Sequence, residues 1–398
     1  MEKKISNQGE MVNLVTAIWS LLRWLMKMSG LRTYEVEIEP GTMMRFWVPS
    51  ETISKPKNSD EKPKLVSKPS KPVVVLVHGF CGDGLANWQF QLGSLTKMYA
   101  VYVPDLLFFG GSFTDKPERS PAFQAKYLAA GLRKLGVEKC SVVGFSYGGA
   151  VAFKMAELYP ELVQAIVISG LVLAMMDSML LTAMQGVGYS SCSELLMPTS
   201  VKGVKSLLAA GTHRNLWLPR RLHKDFLEVM YSNRKERDEL LEAFEISYKD
   251  INIPNFSQRI LLLWGENDKI FKLELAQIMK EKLGNNARLQ GIKKAGHLVH
   301  LERPCVYNRC LKQFLSSALP GIETHDQVEV HTQGFKAETR AALGAHNQLQ
   351  QIDYTRPTKM PQSLALSSQR KFLEATQTKK MTPQPPTQQD NTSSSLRQ

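Results

Sequence analysis

Cysteine is scarce in this 398-residue chain: Cys81, Cys140, Cys192, Cys305 and Cys310 are odd in number, scattered and never spaced C-x-x-C. That pattern argues against a disulfide scaffold and against a zinc site, and it favours an intracellular, reducing compartment. No motif calls for a metal or an organic cofactor. Long apolar runs are missing too. A spanning helix needs about 20 nearly uninterrupted apolar residues, whereas the stretch from Met11 to Met28 is broken by Asn13, Arg23 and Lys27. Aromatic residues are absent among the lysines of the Pro-rich stretch holding Lys55, Lys57, Lys62, Lys64, Lys68 and Lys71. The net charge of +13 therefore reads as a solvated linker and not as a nucleic-acid groove, and no nucleic-acid partner is expected. With 43% apolar and 22% charged residues, what remains is a globular chain large enough for a sizeable core.

Within Met11 to Met28, the residues Leu14, Ile18, Leu21, Leu22 and Leu25 keep helical spacing, and Trp19 and Trp24 suit an interface. Residues 1–32 are thus expected to form an amphipathic helix. It lies on a membrane through residues 11–28, rims the entrance to the site, or docks on its own domain, so the protein is expected in the cytoplasm or peripherally on a membrane. Glu2 among the first lysines and the lack of a clean cleavage site argue against a secretory signal. Tyr34 to Ile38 and Met43 to Val48, parted by Pro40-Gly41, predict an antiparallel pair, followed by a flexible linker over 49–72.

From Val73 the pattern becomes βα alternation. The short apolar runs VVVLV, AVYV, SVV and AIVI suit a parallel sheet covered on both faces. Alternation stops near Leu171, where a Met-rich, helical stretch with Met175, Met176, Met179 and Met184 begins, and it resumes at ILLLW (260–264). The expected architecture is an α/β fold: a mostly parallel sheet with helices on both faces and a helical cap inserted between strands. Its parts are a core over 33–170, a cap over 171–256, a second core part over 257–318 closed by one helix from about Val299 to Leu315, and a disordered tail over 319–398, rich in Gln, Thr, Ser and Pro.

Chemistry concentrates at Gly144-Phe145-Ser146-Tyr147-Gly148, which directly follows an apolar strand and precedes a helix-forming run. A serine on such a turn is presented at the mouth of the sheet, and small flanking residues permit close backbone approach. The competing reading, a glycine-rich turn with a capping serine, loses ground once partners are counted. Serine is a weak nucleophile that needs a base and a carboxylate to orient the base. Asp268 follows the strand ILLLW and His297 follows the next strand, giving the order Ser, Asp, His. Glu266 stays open as an alternative acid, and His300, expected at the surface or supporting the site, as an alternative base. Asp105 and His78 read as structural, and His213 and His223 as surface residues. For the oxyanion, the backbone N–H groups of Tyr147 and Phe80 are the candidate donors, Phe80 lying in the loop His78-Gly79-Phe80-Cys81-Gly82.

With HGF, PDLLFFGGS, GFSYGG, WGENDKIF and AGHLVHLERP in this order, the chain from Tyr34 to Leu315 resembles the α/β-hydrolase superfamily. It is most similar to plant epoxide-hydrolase-like proteins, and also to bacterial meta-cleavage-product hydrolases and membrane-associated monoacylglycerol lipases. The resemblance implies Ser146 as nucleophile, Asp268 as acid and His297 as base. True epoxide hydrolases carry aspartate at the nucleophile position, so Ser146 favours acyl transfer over epoxide opening. The expected activity is a serine hydrolase of carboxylic esters, with a hydrophobic small-molecule ester as partner. A carbon–carbon bond hydrolase and a triad-bearing ligand receptor are the alternatives, and no cofactor is needed by any of them.

Overall fold

The computed structural model describes residues 13–55, 62–173, 184–231, 233–248 and 253–318. The expected disordered tail over 319–398, the linker residues 56–61 and Met175, Met176 and Met179 lie outside the described residues. The strands are β1 (Leu31–Glu39), β2 (Thr42–Pro49), β3 (Val73–Val77), β4 (Ala100–Pro104), β5 (Phe113–Thr114), β6 (Cys140–Phe145), β7 (Val163–Ser169), β8 (Arg259–Gly265) and β9 (Ala287–Ile292). Among the described residues they form one sheet in the order β1-β2-β4-β3-β6-β7-β8-β9, with β5 paired to β2 beside that path. The pairs β1–β2 and β2–β4 are antiparallel, and every pair from β4 to β9 is parallel.

The apolar runs explain this arrangement. Successive strand residues point to opposite faces, so a strand buried on both sides must be apolar throughout. Val74, Leu76, Val101, Val103, Val167, Leu261 and Leu263 join one core cluster with the helices Gly84–Trp88, Leu92–Leu95 and Pro304–Ala318. Their alternates Val75, Val77, Tyr102, Ile166, Ile168, Ile260 and Leu262 join the other, with Pro121–Lys134, Tyr147–Leu158 and Leu273–Leu283. Between β7 and β8 the described chain forms the helices Cys192–Leu196, Val201–Gly211, Arg220–Met230 and Arg234–Tyr248.

Three local expectations are corrected. Much of the segment expected as a flexible linker is built into the fold: Ile53 bridges Leu65 in antiparallel fashion, and the Ser54 amide donates to the Lys64 carbonyl at 2.8 Å. Burial of Thr52 and Ile53 gives that pairing an anchor. The single helix expected from Val299 to Leu315 is two, Val299–Glu302 and Pro304–Ala318. Pro304 forces the break, because it has no N–H and its ring disfavours a helical Arg303, which sits at φ −131°, ψ 54°. His223 is buried and not at the surface, its Nδ1 lying 3.1 Å from the Pro219 carbonyl at the start of its own helix.

Trp264 closes β8. Its ring is wholly buried, and its Nε1 donates to the Phe271 carbonyl at 2.7 Å, fastening the loop beyond the strand. Replacing it with alanine is expected to cost about 3–5 kcal/mol of folding stability, read as a lowered urea midpoint. Trp264→Phe, which keeps most of the volume but leaves the carbonyl unpaired, should cost about 1–3 kcal/mol.

Of the two places the sequence leaves open for His300, the surface or a support of the site, the structure takes the second. Helix Val299–Glu302 turns it inward, where its ring packs 4.4 Å from Phe145, 4.8 Å from Trp88 and 5.9 Å from Tyr307, centroid to centroid. Burial first, and the charge of a protonated His297 second, push its pKa down to about 3. An unfolded histidine titrates near ~6.5, so below that pH the unfolded chain takes up a proton that the fold refuses. The stability associated with neutral His300 is therefore complete above about pH 6.5 and is lost as the pH falls toward 3. In a histidine-selective NMR titration its ring resonances should stay fixed from about pH 5 to 8, and a midpoint inside that range would contradict this packing.

Candidate active site

The sequence places Ser146 where β6 ends and the helix Tyr147–Leu158 begins, and the fold holds it at φ 50°, ψ −122°. A non-glycine residue in that region stores roughly 1–3 kcal/mol of strain, sustained only when its surroundings over-determine it. Here they do. A Cβ on Gly144 would meet the Gly148 carbonyl oxygen at 2.5 Å, and one on Gly148 would meet the Val77 and His78 carbonyl oxygens at 2.4 Å. The helix therefore packs against the sheet at a distance that only glycine allows. The Ser146 side chain makes no capping bond to its helix, and Ser146 is the one residue between Cys140 and Phe153 that is not buried.

Asp268 and His297 meet at the same edge. Asp268 follows β8, and its Oδ1 accepts from the amides of Ile270 at 2.8 Å and Phe271 at 2.9 Å. Its Oδ2 accepts from His297 Nδ1 at 2.9 Å, in a pair buried from solvent. That bond commits Nδ1 to the carboxylate and leaves Nε2 as the free end of the ring. The imidazole packs 5.0 Å from the ring of Phe145, the residue before Ser146, and 5.8 Å from Phe271. Glu266, the alternative acid, turns elsewhere: its carboxyl lies against Gly291 of β9.

The loop after β3 supplies the opposite wall. Gly79 lies so close to Ser146 that a Cβ on it would come within 3.3 Å of the Ser146 Cβ. Phe80 follows, buried, its ring edge-on to Tyr147 at 5.9 Å. Tyr147 is the first residue of its helix, so its N–H has no intrahelical acceptor. His78 braces this loop. Its Nε2 accepts from the Leu106 amide at 3.0 Å, so Nδ1 carries the proton and donates to the Gly79 carbonyl at 2.8 Å. Burial pushes its pKa down and keeps it neutral. Asp105 is a second brace, accepting from Gly84 at 3.1 Å and Gly111 at 3.3 Å, with burial and then the Asp83 charge raising its pKa.

Glu302 is a support that sequence reasoning missed. Its carboxylate accepts from the amide of Gly296 at 2.6 Å and, from both oxygens, from that of His213 at 2.9 and 3.0 Å. It thereby pins the loop bearing His297 to the inserted helices, and His213 contributes its backbone and not its ring. Its place five residues beyond His297 in AGHLVHLERP was the only signal available. Arg237, on Arg234–Tyr248, is buried with its guanidinium 4.5 Å over the Phe109 ring, a contact between the inserted helices and the loop after β4. No cluster of three or more metal-ligating side chains occurs among the described residues.

Known proteins share this architecture. The family model described as alpha/beta hydrolase fold matches residues 72–304, more than half of the chain. Epoxide hydrolase 3 of Xenopus tropicalis is 26% identical over 276 residues, covering 61% of this chain and 71% of that protein. A 2-hydroxy-6-oxononadienedioate/2-hydroxy-6-oxononatrienedioate hydrolase of a Pseudomonas species is 24% identical over 269 residues, covering 61% of this chain and 88% of its own. A solved membrane phospholipase A, described as a bacterial virulence factor, superposes with a TM-score of 0.61 at 22% identity over 77% of this chain and 91% of that one, a likeness of fold alone. Sheet order, serine turn and family match converge: the chain belongs to the alpha/beta hydrolase fold family.

Proposed function

We propose that the protein is a serine hydrolase that cleaves carboxylic esters with an apolar moiety through an acyl-enzyme on Ser146. The observation that carries this reading is the strained Ser146 facing the same sheet edge as a buried Asp268–His297 pair whose Nε2 is free. In this mechanism Nε2 of His297 takes the hydroxyl proton as Ser146 Oγ attacks the ester carbonyl. Asp268 fixes the ring and stabilises the imidazolium. The amides of Tyr147 and Phe80 receive the oxyanion, each worth about 2.7–4 kcal/mol of transition-state stabilisation. His297 returns the proton to the departing alcohol, then deprotonates the water that releases the acid.

Serine at this position also bears on the relatives named epoxide hydrolases. A carboxylate that opens an epoxide forms an ester, which water can cleave at its carbonyl. A serine that did so would form an ether with no carbonyl to attack, and the enzyme would stop after one turnover. Acyl chemistry is the reading that lets Ser146 turn over. The apolar moiety is supported by the rings of Phe80, Phe109, Tyr147 and Phe244, which form a continuous edge-on and tilted cluster beside the serine turn.

The test is labelling with a fluorophosphonate probe, alongside turnover of p-nitrophenyl esters and of a meta-cleavage product. Wild type should label and hydrolyse esters, and Ser146→Ala and His297→Ala should lose label and on the order of 10⁶-fold in kcat. Asp268→Asn should retain the fold and lose about 10⁴-fold. Undiminished labelling of Ser146→Ala would end this reading. Turnover of the meta-cleavage product alone would move it to carbon–carbon bond hydrolysis, and ligand-dependent capture of a partner by Ser146→Ala would move it to a receptor.

A further inference from the structure

The helix Leu14–Met28 has two apolar faces where docking needs one. Val15 and Met26 are buried against the domain, with Trp19 and Leu22 half-buried beside them. On the outward side, Leu14, Ile18, Leu21, Leu25 and Met28 repeat at helical spacing and are all exposed, Leu21 at 55% and Met28 at 68%, with Trp24 at 54% on the margin. The rest of the helix surface holds Thr16, Ala17, Ser20, Arg23 and Lys27, and no acidic residue. A monomer in water gains nothing by presenting such a stripe, and stripes of this kind mark an interaction surface.

We infer that this face docks on a bilayer surface containing anionic lipid. Fifteen residues of helix extend only about 22 Å, and no helix among the described residues is long and apolar enough to cross a membrane. The remaining geometry is a helix lying flat, its aliphatic stripe among acyl chains and its tryptophan at the headgroup level. Charge favours a lipid surface of negative sign, because the only ionic side chains on the helix are Arg23 and Lys27, whose long stems reach from the edge of the stripe to phosphate. The helix on which it rests, Arg220–Met230, adds Arg220; its Arg221 and Lys224 already face Asp225 at 3.9 Å and Glu228 at 3.6 Å. It is preceded by Leu216 and Trp217, the latter 89% exposed.

The docked helix is latched both to the serine-side loop and to the inserted helices. Trp19 Nε1 donates to Asp83 Oδ2 at 3.1 Å, and Asp83 caps the helix directly after the loop His78–Gly82. The Leu14 amide donates to Asp225 Oδ2 at 2.7 Å on Arg220–Met230. Seating the helix on lipid therefore holds the inserted helices and the serine-side loop at the same surface, where an apolar ester would be dissolved. That consequence rests on the esterase reading; the docking itself does not.

The test is co-sedimentation of the full-length protein with vesicles of phosphatidylcholine alone and of phosphatidylcholine with phosphatidylglycerol. Wild type should pellet with the anionic vesicles about tenfold more strongly than with the neutral ones. Leu21→Gln/Trp24→Gln/Met28→Gln should lose binding to both by at least about tenfold, while keeping its unfolding midpoint and its hydrolysis of a water-soluble ester. Arg23→Glu/Lys27→Glu, which leaves the stripe intact, should lose only the anionic preference. Failure of wild type to pellet with either vesicle, or unchanged pelleting of the triple-glutamine variant, would overturn the proposal. A wild-type dimer by light scattering that the triple variant converts to monomer, without vesicle binding, would overturn it in favour of an interface between two copies. Because vesicle binding is read without turnover, its failure is distinct from failure of the esterase reading.

Discussion

Everything at the serine-bearing edge depends on how closely one helix can approach a sheet. Tyr147–Leu158 lies so near β3 and β6 that carbonyls of Val77, His78 and Gly148 occupy the space where side chains would begin at Gly148 and Gly144. That packing leaves Ser146 no room for an ordinary backbone conformation, and the strain of its positive φ is sustained by two flanking elements that are buried along almost their whole length. A looser contact would relax the turn, and the hydroxyl would become an ordinary helix cap.

Around this turn, buried polar groups are placed with their partners. His78 joins two loops by donating from one nitrogen and accepting at the other, which its buried, neutral ring can do only in one tautomer. Asp105 and Glu302 each gather backbone amides from separate segments, Glu302 taking that of Gly296 from the loop of His297 and those of His213 and Arg214 from the inserted segment. Asp268 accepts from Ile270 and Phe271 of its own loop while holding His297. Such groups cost free energy if left unpaired, so each constrains the loops that satisfy it. Ser146, Asp268 and His297 sit on loops, and these carboxylates and this imidazole tie those loops to their neighbours.

The parallel sheet was legible because its strands are apolar on both faces, and the serine turn because glycine, serine and glycine stood between such a strand and a helix. The order Ser146, Asp268, His297 was legible for the same reason, since each follows a recognisable strand. His223 misled, reading as a surface residue, and for His300 the sequence left surface and support both open: only the packing of Trp88, Phe145 and Tyr307 around His300 reveals an interior position. The linker misled because its prolines and lysines hide one bridge, Ile53 to Leu65, formed across a gap in sequence. Glu302 was invisible because its acceptors' partners, Gly296 and His213, are brought to it by the fold.

By itself the sequence determined the periodicities, and with them the layered architecture, the position of the serine turn and the stripe of leucines in the N-terminal helix, since these follow from local residue pattern and backbone geometry. Tertiary structure alone decided which carboxylate faces His297, which histidine is buried, and which side of the Leu14–Met28 helix is spent on the domain. Those outcomes depend on contacts between residues distant in sequence, such as Leu14 with Asp225, 211 positions apart, and no local pattern encodes the distance between them.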